Sequence, residues 1–240
     1  LNIIESRLGP IDKLTNTDLE QIPELDRRTT WEQLKVGPVQ TDKKYNPDKS
    51  GGDYQEGDIL LKAAWHQAAP YDDQCPAPPP GSACSDPHRR VGCVALAGAM
   101  IMRYWSWPTG RAWLTMPNAM LVDPTAEEIH QVSHLCHDVG VAVGMDYCSS
   151  ECGSSTDTYE METVYQSTGY TACAGPWWRS DYSFSGWWNK ITADINANRL
   201  IQYRILKHSI VCDGWWIHPD QMFHMNYGWA DSHTAWYTID

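Results

Sequence analysis

The sequence has little basic charge, no long apolar run and almost no phenylalanine. Its 240 residues include 18 lysines and arginines against 30 aspartates and glutamates, which gives a formal net charge of −12. An acidic surface repels phosphate groups, so nucleic acid is excluded as an expected partner. No apolar run approaches the roughly 18 residues of a membrane span, so none is expected, and the first residues do not have the pattern of a signal peptide.

The aromatic residues that are present mostly carry a polar edge. There are 13 Trp and 12 Tyr against 2 Phe. Trp and Tyr suit clefts and half-hydrated surfaces as well as cores. The chain also has 8 cysteines. That number in a non-repetitive soluble chain favours an oxidising compartment and some disulfides, although spacing alone does not fix their pairing.

Residues 1–58 differ in composition from the rest of the chain. They are polar and charged and contain no cysteine. Thr30 and Gln33 have the spacing of a capping box, which predicts a short helix there. Residues 43–53 are typical of a loop or linker because of their Gly, Pro, Asp and Asn content. We therefore expect an N-terminal extension over residues 1–58 and a domain over residues 59–240.

Within the domain, helical patterns come first and strand patterns second. Predicted helices begin at Cys93 and cover residues 126–139, 157–167 and 187–197. Predicted strands cover residues 200–206, 208–211, 221–227 and 235–239, with a turn expected near residues 212–214. Helices followed by an antiparallel sheet indicate an α+β fold.

The segment VGCVALAGAMIMRYW places a cysteine directly behind a glycine and ahead of a helix-favouring run. Gly92 allows a sharp turn and a close approach of the backbone. Cys93 is then expected at a helix N-terminus, where unpaired N–H groups and the helix dipole favour a thiolate. This position therefore indicates a nucleophile, although cysteines in helices are often small core residues.

A nucleophilic thiol needs a base, and two histidines in the strand region are candidates. His208 begins an expected strand, which holds a side chain rigidly against a facing helix. His224 lies on the next strand, and Asn226 shares its face. An amide oxygen at Asn226 is suited to accept an imidazole N–H and so to fix the tautomer of the ring.

Several segments, in one order from about Leu60 onwards, resemble the streptopain family of papain-like cysteine peptidases. They are residues 65–72, 92–95, 102–108, 138–147, 179–183, 208 with 211–214, and 224–229. The resemblance implies a papain-like α+β fold, in which the helical part carries the nucleophile and packs on the antiparallel sheet that carries the histidine. It also implies a secreted bacterial cysteine endopeptidase, made as a zymogen, that hydrolyses proteins or peptides and needs no cofactor.

The resemblance implies roles for single residues. Cys93 corresponds to the nucleophile and His208 to the general base, which together form a thiolate–imidazolium pair. Gln67 corresponds to the glutamine that joins the Cys93 N–H in the oxyanion hole, and Asn226 to the residue that orients the histidine. The residues that contact the substrate or cover the catalytic pair are Ser154, Lys207, Tyr227 and Trp229.

Three positions depart from the family pattern. Lys207 stands where the family has a glycine before its histidine, and a long cationic side chain there narrows the cleft or attracts acidic substrates. Tyr227 stands in place of a tryptophan, and Cys212 in place of an aliphatic residue.

A metal site is the first alternative to the peptidase. A cluster of possible zinc ligands has helical or short spacing; its members are His130, His134, Cys136, His137, Cys148 and Cys152. A short disulfide between Cys148 and Cys152 explains that pair more simply, and the histidines are explained as the polar face of a helix. We therefore expect no metal.

Two further functions and two readings of the extension stay open. Tryptophan pairs at residues 177–178, 187–188 and 215–216 are typical of a non-catalytic module that stacks on sugar rings or other ligand groups. A related Cys–His amidase or acyltransferase on the same scaffold is also consistent with the motifs. Residues 1–58 are either the remnant of a prosegment that blocks the cleft or a permanent brace on the domain.

Overall fold

Helices and an antiparallel sheet occupy separate parts of the chain. The computed structural model describes the backbone of residues 32–35 and residues 54–120, 122–148, 151–170, 175–218 and 220–238. The helices are α1 (Cys93–Trp105), α2 (Ala126–Ala142), α3 (Met161–Ser167) and α4 (Phe184–Asn196). The strands are β1 (Glu32–Lys35), β2 (Pro176–Trp178), β3 (Ile201–Ile205), β4 (His208–Trp216), β5 (Met222–Asn226) and β6 (Ala235–Thr238).

The six strands form one sheet in the order β2-β1-β3-β4-β5-β6, and every neighbouring pair is antiparallel. Helix α1 packs against β4, so the helical part that begins with Cys93 lies on the sheet that carries His208. The α+β fold expected from the sequence is confirmed. No helix in the described part of the chain is long and apolar enough to cross a membrane.

Local capping fixes where two of the helices begin. Helix α2 starts with a complete capping box, in which the Thr125 side chain accepts the Glu128 N–H and the Glu128 carboxylate accepts the Thr125 N–H. Helix α4 begins three residues earlier than expected, at Phe184, because the Ser183 hydroxyl accepts the Gly186 N–H at 3.1 Å. Both helices were therefore recognisable from sequence, with errors only at their ends.

The sheet separates two apolar clusters because successive side chains of a strand point to opposite faces. On β4, Val211 belongs to the cluster that contains α1, α2 and α3. Its neighbours Ile210 and Cys212 belong to the cluster that contains the buried side chains of α4. All of these residues are almost completely buried, and each large side chain of that kind contributes about 1.5–3 kcal/mol.

Strand β4 is longer than expected. The turn predicted near residues 212–214 is wrong, because β4 continues to Trp216. The pairing of β4 with β5 shifts its register between Cys212 and Gly214, as at a β-bulge. The real turn lies before β4, where Leu206 and Lys207 connect it to β3 and Ile205 pairs with His208. Lys207 has φ +61°, a left-handed conformation typical of two-residue hairpin turns.

The extension contributes a strand to the sheet. Glu32–Lys35 forms β1 between β2 and β3, so the short helix predicted from Thr30 and Gln33 is wrong at Gln33. Hydrogen bonds along both edges of a segment outweigh a local capping signal. Thr30 and the loop expected over residues 43–53 lie outside the described residues.

Residues 54–61 run along β4 and lead into the site. The Gly57 N–H donates to the Trp215 carbonyl at 3.1 Å, and the Leu60 N–H donates to the Asp213 carbonyl at 3.0 Å. Tyr54 belongs to the segment that we assigned to the extension. Its side chain is buried, and its hydroxyl donates to the Trp215 carbonyl at 3.0 Å. These contacts fix the start of the segment that reaches Gln67.

Candidate active site

Cys93 is the first residue of α1, as its position behind Gly92 predicts. Gly92 has φ +84°, a conformation that L side chains rarely adopt. A Cβ at Gly92 would lie 2.7 Å from Met145 Cε and 3.3 Å from the Ser154 carbonyl oxygen. Glycine is therefore required at this position both for the turn and for the close approach of the neighbouring loop.

The Cys93 sulfur lies at the contact between α1 and β4. Cys93 is partly exposed, but the protein atoms packed around its sulfur raise the pKa of the thiol. Backbone N–H groups of Ser209, Val94 and Cys93 itself oppose that increase, as does the Arg204 guanidinium. Ser209 directly follows His208, so the sulfur lies beside the start of β4.

His208 is buried and is held by a carbonyl and two aromatic rings. Its Nε2 lies 3.0 Å from the Tyr227 carbonyl oxygen, and its ring centroid lies 5.7 Å from that of Tyr227 and 4.7 Å from that of Trp229. A carbonyl only accepts hydrogen bonds, so Nε2 carries the proton and Nδ1 is the basic nitrogen of the neutral ring. The tautomer that a general base requires is therefore fixed.

Burial, with a smaller contribution from His233, lowers the pKa of His208 to about 4 against the opposing effect of the Tyr227 carbonyl. Burial also raises the pKa of the Cys93 thiol, so burial acts against charge on both groups. The thiolate–imidazolium pair expected from the sequence stays a prediction.

Asn226 does not orient His208, which corrects the expectation from the sequence. Its Nδ2 donates to the Ala63 carbonyl at 2.8 Å, and its Oδ1 accepts the Gly228 N–H at 3.0 Å. Both ends of the amide are thus satisfied by backbone groups. The imidazole N–H instead uses the carbonyl of the next residue, Tyr227, which no side-chain pattern reveals.

Gln67 and Ser154 lie on the two sides of the segment that enters α1. The Gln67 carbonyl accepts the Val91 N–H at 2.9 Å, which ties Gln67 to the residue two positions before Cys93. The Ser154 hydroxyl donates to the Arg90 carbonyl at 2.6 Å. Ser154 is thus placed beside Gly92, with its hydroxyl bonded to the backbone.

A disulfide holds the same segment from the Ser154 side. It joins Cys84 to Cys152, with 4.8 Å between the Cα atoms, and Cys148 is a free, exposed thiol. The predicted Cys148–Cys152 disulfide is wrong, because folding brings the proline-rich loop before α1 against the loop that contains Cys152. The Arg90 N–H donates to the Cys152 carbonyl at 3.0 Å and reinforces this contact.

One titratable group near His208, His233, was not identified from the sequence. The His233 ring lies 5.1 Å from the Trp229 ring, on a loop whose residues Ala230, Asp231 and His233 all have positive φ. The Ala230 N–H donates to the Trp65 carbonyl at 3.0 Å, which fixes this loop to the Gln67 segment. Only the position of the loop shortly after Asn226 could have indicated His233.

The sequence matches the profile of the Peptidase C10 family over residues 65–112 and 109–237. That match covers the segments on which the resemblance rests and all the candidate residues described above. The chain belongs to the peptidase C10 family. The predicted relation to streptopain is therefore confirmed.

Among proteins related to this C10 chain are two bacterial proteases. The thiol protease/hemagglutinin PrtT of Porphyromonas gingivalis is 28% identical over 196 residues, which are 69% of this chain and 22% of PrtT. Streptopain of Streptococcus pyogenes serotype M28 is 23% identical over 187 residues, 64% of this chain and 46% of streptopain. The chain thus spans less than half the length of either relative.

Two solved structures have the same fold as this C10 chain. Active interpain A, a cysteine protease of Prevotella intermedia, superposes with a TM-score of 0.62 and 18% identity, covering 82% of this chain and 91% of interpain A. A mutant fragment of prointerpain A superposes with a TM-score of 0.62 and 19% identity, covering 97% of this chain and 75% of the fragment. The papain-like architecture expected from the sequence is confirmed.

In the part of the chain that the structure describes, the possible zinc ligands of this C10 domain do not gather into one cluster. The rings of His130 and His134 lie 4.3 Å apart, whereas the His137 ring stacks on Tyr147 and Cys136 is buried. Among the described residues, one group of three possible ligands lies close together, namely Cys84, Asp86 and Cys152. The two cysteines of this group form the disulfide with each other, so the group does not provide three metal ligands.

Most of the paired tryptophans contribute to packing rather than to an open binding face. Trp187 is buried and its indole N–H donates to the Tyr203 hydroxyl. The Trp188 ring stacks on Phe223 at 4.6 Å. Trp216, at the far end of β4 from His208, is the exposed member of its pair. The aromatic excess thus has a structural explanation at these positions.

Proposed function

We propose that the chain is a cysteine endopeptidase that hydrolyses protein substrates through an acyl-enzyme on Cys93. The observation that carries the proposal is the position of the two reacting groups. Cys93 begins α1, its sulfur receives the backbone N–H of Ser209, and the preceding residue, His208, presents a fixed tautomer with a basic Nδ1. A thiol and a base held at one helix–strand contact are the minimum that nucleophilic acyl transfer requires.

In the proposed reaction, His208 Nδ1 takes the Cys93 proton as the sulfur attacks the peptide carbonyl. The imidazolium then donates that proton to the leaving amine, and water hydrolyses the acyl-enzyme with His208 as the base. The Cys93 N–H at the start of α1 and the Gln67 amide stabilise the oxyanion. Each such donor contributes about 3–4 kcal/mol to transition-state stabilisation in comparable sites.

The substrate-facing residues that we propose are Ser154, Lys207 and Trp229, whereas Tyr227 is buried and covers His208 from the protein side. Trp229 is partly exposed above His208, and Lys207 lies in the turn that precedes His208. A cationic side chain at the mouth of the site favours substrates with a carboxylate close to the cleaved bond. A peptide library with Asp, Asn or Lys flanking the cleaved bond tests this preference.

We propose further that residues 1–58 are a prosegment. The prointerpain A fragment covers more of this chain than active interpain A does, and β1 from this region is inserted in the sheet. N-terminal sequencing after incubation tests the proposal: a cut between Tyr45 and Ile59 supports it, and an intact chain under active conditions favours a permanent brace. Because β1 pairs on both edges, the cut fragment is expected to stay bound until denaturant is added.

The disulfide between Cys84 and Cys152 also supports an oxidising environment, and we propose that the protein is secreted by a bacterium. Detection of the intact disulfide in protein recovered from culture medium tests this. Protein found only in reduced form inside cells would contradict it.

Cys93→Ala tests the enzymatic proposal directly. We expect casein cleavage to disappear while the circular dichroism spectrum and melting temperature stay unchanged. Cys148→Ala is the matched control, because Cys148 is a free, exposed thiol outside the proposed site. Cleavage by Cys93→Ala at the wild-type rate would disprove the proposal. If the unsubstituted protein does not cleave casein but turns over amide or acyl donors in a reaction that Cys93→Ala abolishes, the related Cys–His amidase or acyltransferase is identified instead.

A further inference from the structure

A fully buried glutamine connects the helix of the nucleophile to the strand of the base. Gln202 lies on β3 and has no solvent exposure. Its Nε2 donates to the Val94 carbonyl at 3.0 Å and to the Ser209 hydroxyl at 3.0 Å. Its Oε1 accepts the Tyr165 hydroxyl at 2.6 Å, so both donors and the acceptor of the amide are used.

The two groups that Gln202 holds each follow a proposed catalytic residue. Val94 comes directly after Cys93, and Ser209 comes directly after His208. The Ser209 N–H is also one of the groups directed at the Cys93 sulfur. A single side chain therefore fixes the first turn of α1 relative to the first residues of β4.

Gln202 is itself held from a third direction. Tyr165 belongs to α3, is fully buried, and directs its hydroxyl at Gln202 Oε1. Because Oε1 accepts this hydrogen bond, the Gln202 amide cannot rotate by half a turn without losing the hydrogen bonds of both Oε1 and Nε2. A fully satisfied buried network of this kind specifies one arrangement of the elements that it joins.

We propose that Gln202 is a positioning residue that sets the distance between the Cys93 sulfur and the His208 imidazole by tying Val94 to Ser209. The proposal rests on the peptidase function proposed above. A purely structural glutamine would behave differently: its replacement would leave the Val94 carbonyl and the Tyr165 and Ser209 hydroxyls without this partner and so lower stability, but it would not change the rate of the folded fraction. A positioning residue affects the reaction even where stability is kept, since a misplacement of about 1 Å costs about 10²-fold in rate.

Gln202→Met and Gln202→Glu separate the donor function of the amide from its shape. Methionine removes both donors and the acceptor, whereas an ionised glutamate keeps the acceptor for Tyr165 and has no donor for Val94 or Ser209. We expect each to lower kcat by about 10²-fold with little change in KM. In Ser209→Ala one of the two Nε2 bonds is kept, so a smaller decrease in kcat is expected.

Tyr203→Phe is the matched control. Tyr203 is the next residue of β3, faces the opposite side of the sheet, and is equally buried. Its hydroxyl accepts the Trp187 indole N–H at 2.9 Å, away from α1. This variant is expected to lower the melting temperature without changing kcat.

Alkylation of Cys93 by iodoacetamide supplies a readout that does not depend on peptide cleavage. The rate is followed by mass spectrometry of the Cys93 peptide across pH, in a Cys148→Ser background. Gln202→Met and Gln202→Glu are expected to shift the profile to higher pH, because the Ser209 N–H is no longer fixed against the sulfur. Tyr203→Phe should reproduce the unshifted profile.

The outcomes separate this proposal from the proposed function. Wild-type kcat and an unshifted alkylation profile in Gln202→Met would overturn the positioning role. If the unsubstituted protein cleaves no peptide, the peptidase proposal fails, and the alkylation profile alone decides the role of Gln202. If both Gln202 variants fail to fold, Ser209→Ala decides it, and an unshifted profile in that variant overturns the proposal.

Discussion

Two buried histidines on neighbouring strands are held in opposite ways. His208 donates from Nε2 to a backbone carbonyl and lies against aromatic rings, and burial lowers its pKa to about 4. At His224, Nδ1 lies 2.6 Å from Asp213 Oδ1, and Oδ2 of the same carboxylate accepts the Leu61 N–H at 3.1 Å. Burial opposes the charge of His224, but the charge and hydrogen bond of Asp213, with a contribution from Asp231, raise its pKa.

The difference separates a base from a structural ion pair. His208 is neutral and keeps Nδ1 unprotonated, so it is able to take a proton. His224 is held in its charged form, and its Nδ1 is occupied by Asp213. The sequence offered both as candidates, and these surroundings favour the proposed assignment of His208 as the base.

Replacing each histidine by glutamine is expected to give the largest contrast. His208→Gln removes the proposed base, and kcat/KM should decrease by about 10⁴-fold or more. His224→Gln keeps an N–H donor for Asp213 at a distance from the sulfur, so the folded fraction should retain most of its activity. Steady-state cleavage of a fluorogenic peptide, corrected for folded protein by circular dichroism, measures both. Equal losses in the two variants would contradict the assignment of roles.

Stability is expected to show the reverse order. Asp213→Asn leaves the buried His224 without its carboxylate, and removing one partner of a buried ion pair typically costs about 3–5 kcal/mol. Urea denaturation measures the free energy of unfolding, with the exposed Asp181→Asn as control. His208→Gln removes no ionic partner and should be less destabilising. An Asp213→Asn midpoint equal to that of the control would show that the pair contributes no stability.

The pH dependence of stability should have opposite signs for the two residues. His208 has a folded pKa of about 4, below its unfolded value of about 6.5. Its contribution is therefore present above pH 6.5 and is lost as the pH falls towards 4, by about 3 kcal/mol. His224 has a raised folded pKa, so its contribution is present below pH 6.5 and is lost as the pH rises through the folded value.

Urea midpoints measured from pH 4 to pH 9 test both signs. His208→Gln should flatten the acid side of the profile, and His224→Gln should flatten the alkaline side. Glutamine at either position has no proton to exchange in this range, so each variant removes a single contribution. A profile unchanged by His208→Gln would show that His208 is not buried in its neutral form.

Local patterns predicted the framework of this site well. The glycine before Cys93, the helix-favouring run after it and the helical spacing of residues 126–139 act within a few positions, and the structure has the corresponding helices. The strand that begins at His208 was also expected. These signals depend on backbone conformation and nearest neighbours, which a single sequence contains.

Contacts between distant segments were not predicted correctly. The Cys84–Cys152 disulfide spans 68 residues, whereas the expected partner Cys148 is near in sequence. Strand β1 depends on hydrogen bonds to β2 and β3 at distant positions in the chain. The orienting group of His208 is a backbone carbonyl, and every residue has one, so no residue type identifies it. The errors at the disulfide and at β1 each replaced a long-range contact by a local one.

The smallest expected effect concerns the aromatic covers of the two histidines. Trp229→Leu exposes His208, and its pKa should rise from about 4 towards 6.5, since burial is the main cause of the low value. Trp236→Leu is the matched change at His224, whose ring centroid lies 5.1 Å from that of Trp236. Because Asp213 already favours the charged form of His224, reduced burial of the His224 ring should raise its pKa only a little further. Two-dimensional NMR titration of the histidine rings should therefore show a large upward shift for His208 and a smaller one for His224. A pKa for His208 that does not move in Trp229→Leu would mean that the Tyr227 carbonyl and ring, rather than the indole, keep the base neutral.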